Sequence, residues 1–267
     1  MKRLSARSRS LILLAVAFVA LWLLPDIAAW LEYGPDEAWA RVRSSGVIRF
    51  ATDASYHPFE GVGSDGVFYG LDIDIAREIA RRIGARAEFV NAGMDVLYDV
   101  LRVGQADASI SALPVDPARG GQWVYTRPYF DAGLVLVTRP ESRLADADDL
   151  AGRVVAVALG SDGDAWLRKA RRQSSAITPE RFDSLQEALQ AVDEGRADAA
   201  IIDGVTARQR LSTRFGDLRV VAQLTSEPYA IALWGQNTEL LAAIDGALSD
   251  MEADGTLARI VDDWMRK

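Results

Sequence analysis

The sequence predicts an α/β protein built from two similar lobes, and three observations carry that expectation. Apolar strand-like runs alternate along the chain with amphipathic helical stripes. One helix–Gly–strand unit recurs, with GQADASI at 104–110 echoed by GRADAAI at 195–201. The 267 residues, 49% hydrophobic and 25% charged, suffice for one large soluble domain or two small ones.

GPDEAWARVRSSG (34–46) predicts a short helix closed by glycine, and VIRFATDA (47–54) a strand. LDIDIAREIARRIG (71–84) sets Ile75, Ile79 and Ile83 four apart with Ala76 and Ala80 alongside, one helical stripe ended by Gly84. ARAEFV (85–90) is the next strand, MDVLYDVLRVG (94–104) a helix and ADASISAL (106–113) a strand. The second half repeats the alternation: strand 152–159, helix 162–172, helix 184–195, strand 196–203 and helix 204–214. Strands joined through helices imply parallel sheets with helices packed on them. The last stretch, 237–267, carries two helical stripes parted by Gly255.

The N-terminus has a different character. Lys2, Arg3, Arg7 and Arg9 precede LILLAVAFVALWLL (11–24), a run with no polar side chain. Basic-then-apolar order is that of an export segment. Residues 1–31 are therefore expected to be a cleaved signal peptide or an uncleaved membrane anchor, with AWA at 38–40 a late cleavage candidate and 32–46 a short linker and helix. Either outcome places the body outside the cytoplasmic membrane.

Composition removes several function classes. The formal net charge is −8 and the N-terminal segment is basic, so the body is more acidic still, which disfavours nucleic acid as a partner. No cysteine is present, and His57 is the one histidine, so thiolate chemistry, disulfides and poly-imidazole metal sites are excluded. No cofactor is called for.

GVGSDG (61–66) satisfies G-x-G-x-x-G but is followed by the strand-like VFYG, where a dinucleotide site would open a helix; a glycine-rich turn is expected instead. His57 precedes Pro58 in an extended segment without a nucleophile motif nearby and is expected to be a surface-loop histidine. Asp53 and Asp203 end the apolar strands IRFATD and AAIID. Ligands of open α/β sheets bind beyond the carboxyl ends of strands, and a carboxylate there receives an ammonium group. Asp203 also precedes a helix and suits an N-cap. GSDGDAW (160–166) opens a helix whose free N–H groups attract an anion, with Ser161 or Asp162 also placed as a plain cap.

These pieces together resemble the extracytoplasmic solute-binding proteins of polar amino-acid ABC transporters, solute-binding protein family 3. The resemblance covers about 36–267 and rests on eight stretches in family order: GVIRFATDASYHPFE, GLDIDIAREIARRIG, SISALPVDPAR, YTRPYFDAGLVLV, DLAGRVVAVALGS, EALQAVDEGRADAAIID, SEPYAIAL and DMEADGTLARIVDDW. It implies the type II periplasmic-binding-protein fold, two α/β lobes joined by hinge crossings near Asp131–Leu134 and Ser226–Tyr229. Lobe 1 is then 47–132 plus 227–267, and lobe 2 is 133–226. A ligand in the cleft closes the lobes, and the closed form docks on an ABC permease.

By the same resemblance, Asp53 and Tyr56 line the lobe 1 wall, Met94 replaces a frequent second aromatic, and Ser111 and Ala112 offer backbone groups. Arg119 grips the ligand α-carboxylate, Ser161 and Asp162 lie at the lobe 2 helix start, and Asp203 takes the α-ammonium. Two departures stand out. Pro114 occupies a position where the family has Ser or Thr and removes a donor; Asp162 puts an acid near the expected carboxylate. With Asp53, it points to an amino acid with a polar or cationic side chain. No catalytic residue is expected in this monomeric binding protein. Two other readings stay open: a dehydratase on the same fold, for which His57 and Glu60 are the nearby acid–base groups, and a tethered ligand-sensing domain.

Overall fold

The computed structural model describes residues 36–173 and 176–266, so the reading of residues 1–31 as signal or anchor lies outside the described residues. Among the described residues no helix is long and apolar enough to cross a membrane.

The chain opens with α1 (Glu37–Ser45), capped by Asp36, whose Oδ1 accepts from the Trp39 N–H at 2.9 Å. The other oxygen, Oδ2, accepts from the N–H groups of Glu239 and Leu240, both at 2.9 Å, so one aspartate caps two helices. β1 (Val47–Thr52) follows, then a hairpin of β2 (Gly61–Val62) and β3 (Phe68–Tyr69) whose turn is the glycine-rich GVGSDG. α2 (Leu71–Arg82) buries Ile75, Ala76, Ile79 and Ala80 as its stripe predicts, and also Asp72. β4 (Arg86–Asn91), α3 (Leu97–Arg102), β5 (Ala108–Ser109), β6 (Trp123–Tyr125) and β7 (Phe130–Asp131) complete this half.

The chain then enters a second sheet through β8 (Leu134–Thr138), β9 (Val154–Ala158), α4 (Asp162–Gln173), β10 (Thr178–Phe182), α5 (Leu185–Asp193), β11 (Ala199–Asp203), α6 (Gly204–Leu211) and β12 (Arg219–Gln223). It returns through β13 (Pro228–Tyr229) and β14 (Ala232–Trp234), and ends in α7 (Thr238–Ala253) and α8 (Thr256–Met265), parted at Gly255.

Two five-stranded sheets result, in the orders β4-β1-β5-β14-β6 and β10-β9-β11-β8-β12. In each, three neighbouring strands run parallel, and the fourth is antiparallel to both its neighbours. The expectation of wholly parallel sheets is thus corrected. β14 and β8 are reached directly from the strands that cross between the sheets, not through a helix, and so arrive in the reverse direction.

The repeated heptapeptides have matching jobs. Asp107 N–H donates to the Arg49 carbonyl at 2.8 Å and its Oδ2 accepts from the Arg49 N–H at 2.8 Å. Asp198 does the same with Val154, also at 2.8 Å in both bonds. Each aspartate clips its strand, β5 or β11, to the parallel neighbour, β1 or β9.

Apolar side chains pack on both faces of each sheet. Ile48, Phe50, Ile75, Ile79, Ile244 and Leu248 form one core of the first sheet, and Leu97, Leu101 and Trp123 fill its other face. Val135, Leu189, Val192 and Ile202 cover one face of the second sheet, and Leu136, Leu150, Val157 and Leu167 the other. The chain passes between the sheets at β7 and β13, which pair antiparallel as Asp131 with Pro228 and Phe130 with Tyr229. At the first passage Gly133 lies so close to the other that a Cβ there would stand 2.1 Å from the Thr225 carbonyl oxygen.

Candidate functional site

β9 and β11 are neighbours in the second sheet, and both end at one cavity of about 320 Å3, the size range of small-molecule pockets. α4 begins directly on the end of β11. A Cβ on Gly163 would meet the Ile201 carbonyl oxygen at 2.6 Å, so only glycine permits this approach. Ser161 caps the helix: its Oγ accepts from the Asp164 N–H at 3.2 Å and donates to the Ala158 carbonyl at 2.8 Å. Behind it, buried Asp164 is gripped by Arg168 and by Arg181, the latter at 2.8 Å. The first turn, with Ser161, Asp162 and Gly163, therefore faces the cavity on a fixed base.

Asp203 ends β11 and caps α6, one oxygen accepting from the Thr206 N–H at 2.8 Å. The cap role foreseen for it is observed, and it leaves the second carboxylate oxygen of a residue that lines the cavity without a role in the cap. Tyr56, from the loop after β1, closes the opposite side; its ring stacks on Phe59 at 5.3 Å and remains 43% exposed. The passage between the sheets contributes Ala132, Glu227 and Tyr229.

Three carboxylates line this cavity (Asp162, Asp203 and Glu227), and its lining includes no lysine or arginine. The phenols register the field. Burial raises Tyr56, a hydrogen bond with Tyr229 opposes this, and the charges of Asp203, Glu60 and Glu227 add to the rise. Tyr229 is raised by burial first and then by Tyr56 and Glu227.

Of the nine residues singled out in the sequence, the cavity brings together Tyr56, Ser161, Asp162 and Asp203. The other five lie outside its lining. The Asp53 carboxylate accepts from Ser55 Oγ at 2.7 Å and from the Met94 N–H at 2.9 Å, so it holds the loop carrying Met94. Met94 itself is 43% exposed. Ser111 and Ala112 are buried. The Ser111 hydroxyl accepts from the Asp53 N–H at 2.9 Å and donates to Glu60 at 2.8 Å, while the Ala112 N–H donates to Asp72 at 2.6 Å. The N–H that Ala112 was expected to offer is thus already engaged.

Arg119 pairs with Asp116 at 3.2 Å, and its guanidinium lies 4.3 Å from the centre of the Tyr98 ring. Pro114 bridges to Tyr229 between two bonds to the second passage, Ala230 N–H to the Leu113 carbonyl and Val115 N–H to the Pro228 carbonyl, both 3.0 Å. Its ring nitrogen points away from that pairing, so the missing donor costs the ladder nothing. His57 is exposed and packs edge-on against Trp264, with ring centres 6.5 Å apart.

The sequence reading missed Glu227 and Tyr229. The signal that locates them is the crossing assigned to Ser226–Tyr229, since residues on a passage between two lobes face both. Among the described residues no cluster of His, Cys, Asp and Glu is arranged to hold a metal ion.

Comparison with known proteins supplies the family context. The family described as bacterial extracellular solute-binding proteins, family 3, matches residues 48–267. The ABC transporter arginine-binding protein 1 of Escherichia coli (strain K12) is 28% identical over 223 residues, 81% of this chain and 90% of that protein. Among solved structures, the L-cystine solute receptor of Neisseria gonorrhoeae in the unliganded open conformation shares the fold with a TM-score of 0.74 at 23% identity, over 85% of this chain and 96% of that one. An ancestral cationic amino acid solute-binding protein matches with a TM-score of 0.60 at 28% identity, over 85% of this chain and 99% of that one.

Proposed function

The chain belongs to the bacterial extracellular solute-binding proteins of family 3, and from that premise we propose that it captures a cationic amino acid between its two sheets and presents it to an ABC permease. The observation that carries the reading is the cavity itself: three acids and two tyrosines line the space where the parallel strands β9 and β11 end, with no basic residue in the lining. Asp203 receives the α-ammonium on its uncommitted oxygen. Asp162 and Glu227 receive a cationic side chain. The α-carboxylate takes the N–H groups at the start of α4 and, on closure, Arg119.

In this reading lobe 1 is 47–132 plus 227–267 and lobe 2 is 133–226, and β7 and β13 are the hinges about which they close. The protein works as a monomer outside the cytoplasmic membrane, exported or tethered by residues 1–31. A dehydratase reading gains no support from the site, because Glu60 is fully buried off the cavity and His57 packs on Trp264.

The test is a thermal-shift screen of the twenty amino acids followed by calorimetry of the responders. A cleft ligand raises the midpoint by mass action, and arginine or lysine is expected to give the largest rise. Response to neutral polar amino acids with no heat from arginine or lysine removes the cationic preference. No response to any of the twenty removes the amino-acid reading.

A further inference from the structure

Glu60 and Asp72 are both fully buried, and the binding reading above gives neither a task. They come from separate elements, Glu60 from the residue before β2 and Asp72 from the first turn of α2. They grip consecutive residues. Glu60 Oε1 accepts from Ser111 Oγ at 2.8 Å, and Asp72 Oδ2 accepts from the Ala112 N–H at 2.6 Å and from the Tyr129 hydroxyl at 2.9 Å. Ala112 has φ 44°, a left-handed conformation that a residue with a Cβ adopts at a cost, and the bond to Asp72 holds it there.

The leftover oxygens are Glu60 Oε2 and Asp72 Oδ1. Both are buried, and neither receives an N–H or O–H from any other residue. The two carboxyl groups instead meet each other. The titratable groups facing them are Asp53 at the end of β1, Tyr56 in the loop beyond it and Tyr129 ahead of β7, a set with no cation. Two adjacent carboxylates in such a place would repel each other after losing their water. One proton between Oε2 and Oδ1 satisfies both orphaned atoms and removes one charge.

We propose that Glu60 and Asp72 share a single proton, and that this one-proton pair positions Ser111 and Ala112 against the cleft. The second half of the proposal rests on reading Ser111–Ala112 as cleft wall; the first does not. Burial raises both acids above their ordinary range, and the charge of Asp72 raises Glu60 further. The folded protein then holds a proton that the unfolded chain releases above the ordinary carboxylate range, so stability falls as the pH rises from about 5 towards 10.

Glu60→Gln tests this. The amide keeps an acceptor for Ser111 and donates permanently to Asp72. The variant is expected to fold, to lose less of its unfolding midpoint than the parent between pH 5 and pH 10, and to be the more stable of the two at pH 9.5. An equal pH slope, or lower stability of the variant at pH 9.5, overturns the shared proton. Asp72→Asn makes the reciprocal substitution, and failure of both amide variants to fold also overturns it.

Positioning is read from the affinity for L-arginine of parent and variant at each pH, as a ratio that cancels the ligand's own titration. The ratio is expected to move at least threefold against the parent between pH 7 and pH 9.5. A flat ratio overturns positioning. If neither protein binds any amino acid while the stability profiles diverge, the binding reading fails and the shared proton stands.

Discussion

Ser226 Oγ donates to Asp131 Oδ2 at 2.7 Å, tying the two passages between the sheets to each other. The same carboxylate accepts through Oδ1 from the Gly133 N–H at 2.8 Å, the Glu227 N–H at 2.9 Å and Gln223 Nε2 at 3.3 Å. Burial pushes this acid up, but the bonds from Ser226, Glu227 and Gly133 outweigh burial and hold it below its ordinary range. Asp131→Ala is expected to cost about 2 kcal/mol, the scale of hydrogen bonds to a charged acceptor, seen as a lower urea midpoint. The sign with pH follows from the lowered pKa. The contribution of Asp131 is present above the unfolded carboxylate value of about 3.9 and fades as the pH falls below it. The gap between parent and variant should therefore narrow in acid; a constant gap down to pH 2 would assign the loss to something other than the charge.

Gly133 makes a sharper demand at the same place. A methyl group there would overlap the Thr225 carbonyl, which is backbone and has no rotamer to give. Gly133→Ala should cost more than about 2 kcal/mol, or shift the two passages apart and alter closure. Thermal unfolding with small-angle scattering distinguishes these outcomes, and a variant matching the parent in both would mean the close approach is slack.

Asp107 and Asp198 occupy equivalent places in the two sheets but differ in environment. The Asp107 side chain is 1% exposed and pairs with both Arg41 and Arg49; that of Asp198 is 35% exposed, with Arg153 3.9 Å away. Removing one partner of a buried ion pair strands the other, whereas an exposed pair contributes little. Asp107→Asn should cost about 3 kcal/mol, and Asp198→Asn less than about 1 kcal/mol, by denaturant unfolding. Equal losses would show that the backbone clip, which both share, carries the energy.

Much of the fold was legible because periodicity is local. The stripe at 71–84 becomes α2 almost intact, and the echo at 104–110 and 195–201 marks equivalent strands. The strand expected over 106–113 is regular only at Ala108–Ser109, because the Ala112 N–H turns to the Asp72 carboxylate before the chain pairs again, at Leu113–Val115, with the second passage. The helix expected from Met94 begins at Leu97, since Asp53 holds the Met94 N–H in the preceding loop. β10 escaped notice because it is a short, polar edge strand containing Pro179, without alternation. β14 joins its sheet from far along the chain, a matter of topology that no window of residues contains.

Burial of polar side chains was the least legible feature. Asp72 sits in phase with Ile75, Ala76 and Ile79 on the buried face of α2, and an acid in register with an apolar stripe was the available sign. What it bonds to, at Ala112 and Tyr129, is fixed only by the tertiary fold.

Three substitutions separate the ends of the proposed ligand. Arg119 is half exposed, pairs with the exposed Asp116 and lies over the Tyr98 ring, so Arg119→Ala should lower the ligand-free melting midpoint only slightly, as an exposed pair and an exposed cation–π contact contribute at most about 1 kcal/mol each. It should still weaken every amino acid at least about tenfold if the guanidinium meets the carboxylate on closure. Asp203→Asn, by the same logic applied to the ammonium, should also weaken every amino acid. Glu227 lines the cavity and is assigned to the side-chain end of the proposed ligand, so Glu227→Gln should weaken arginine by about tenfold, or about 1.4 kcal/mol, and spare glutamine. Titration calorimetry with arginine and glutamine on all three proteins checks the set. Equal weakening of both ligands by Glu227→Gln would move Glu227 from the side-chain end of the site to its common core, and the acids left to select a cation would be Asp162 alone.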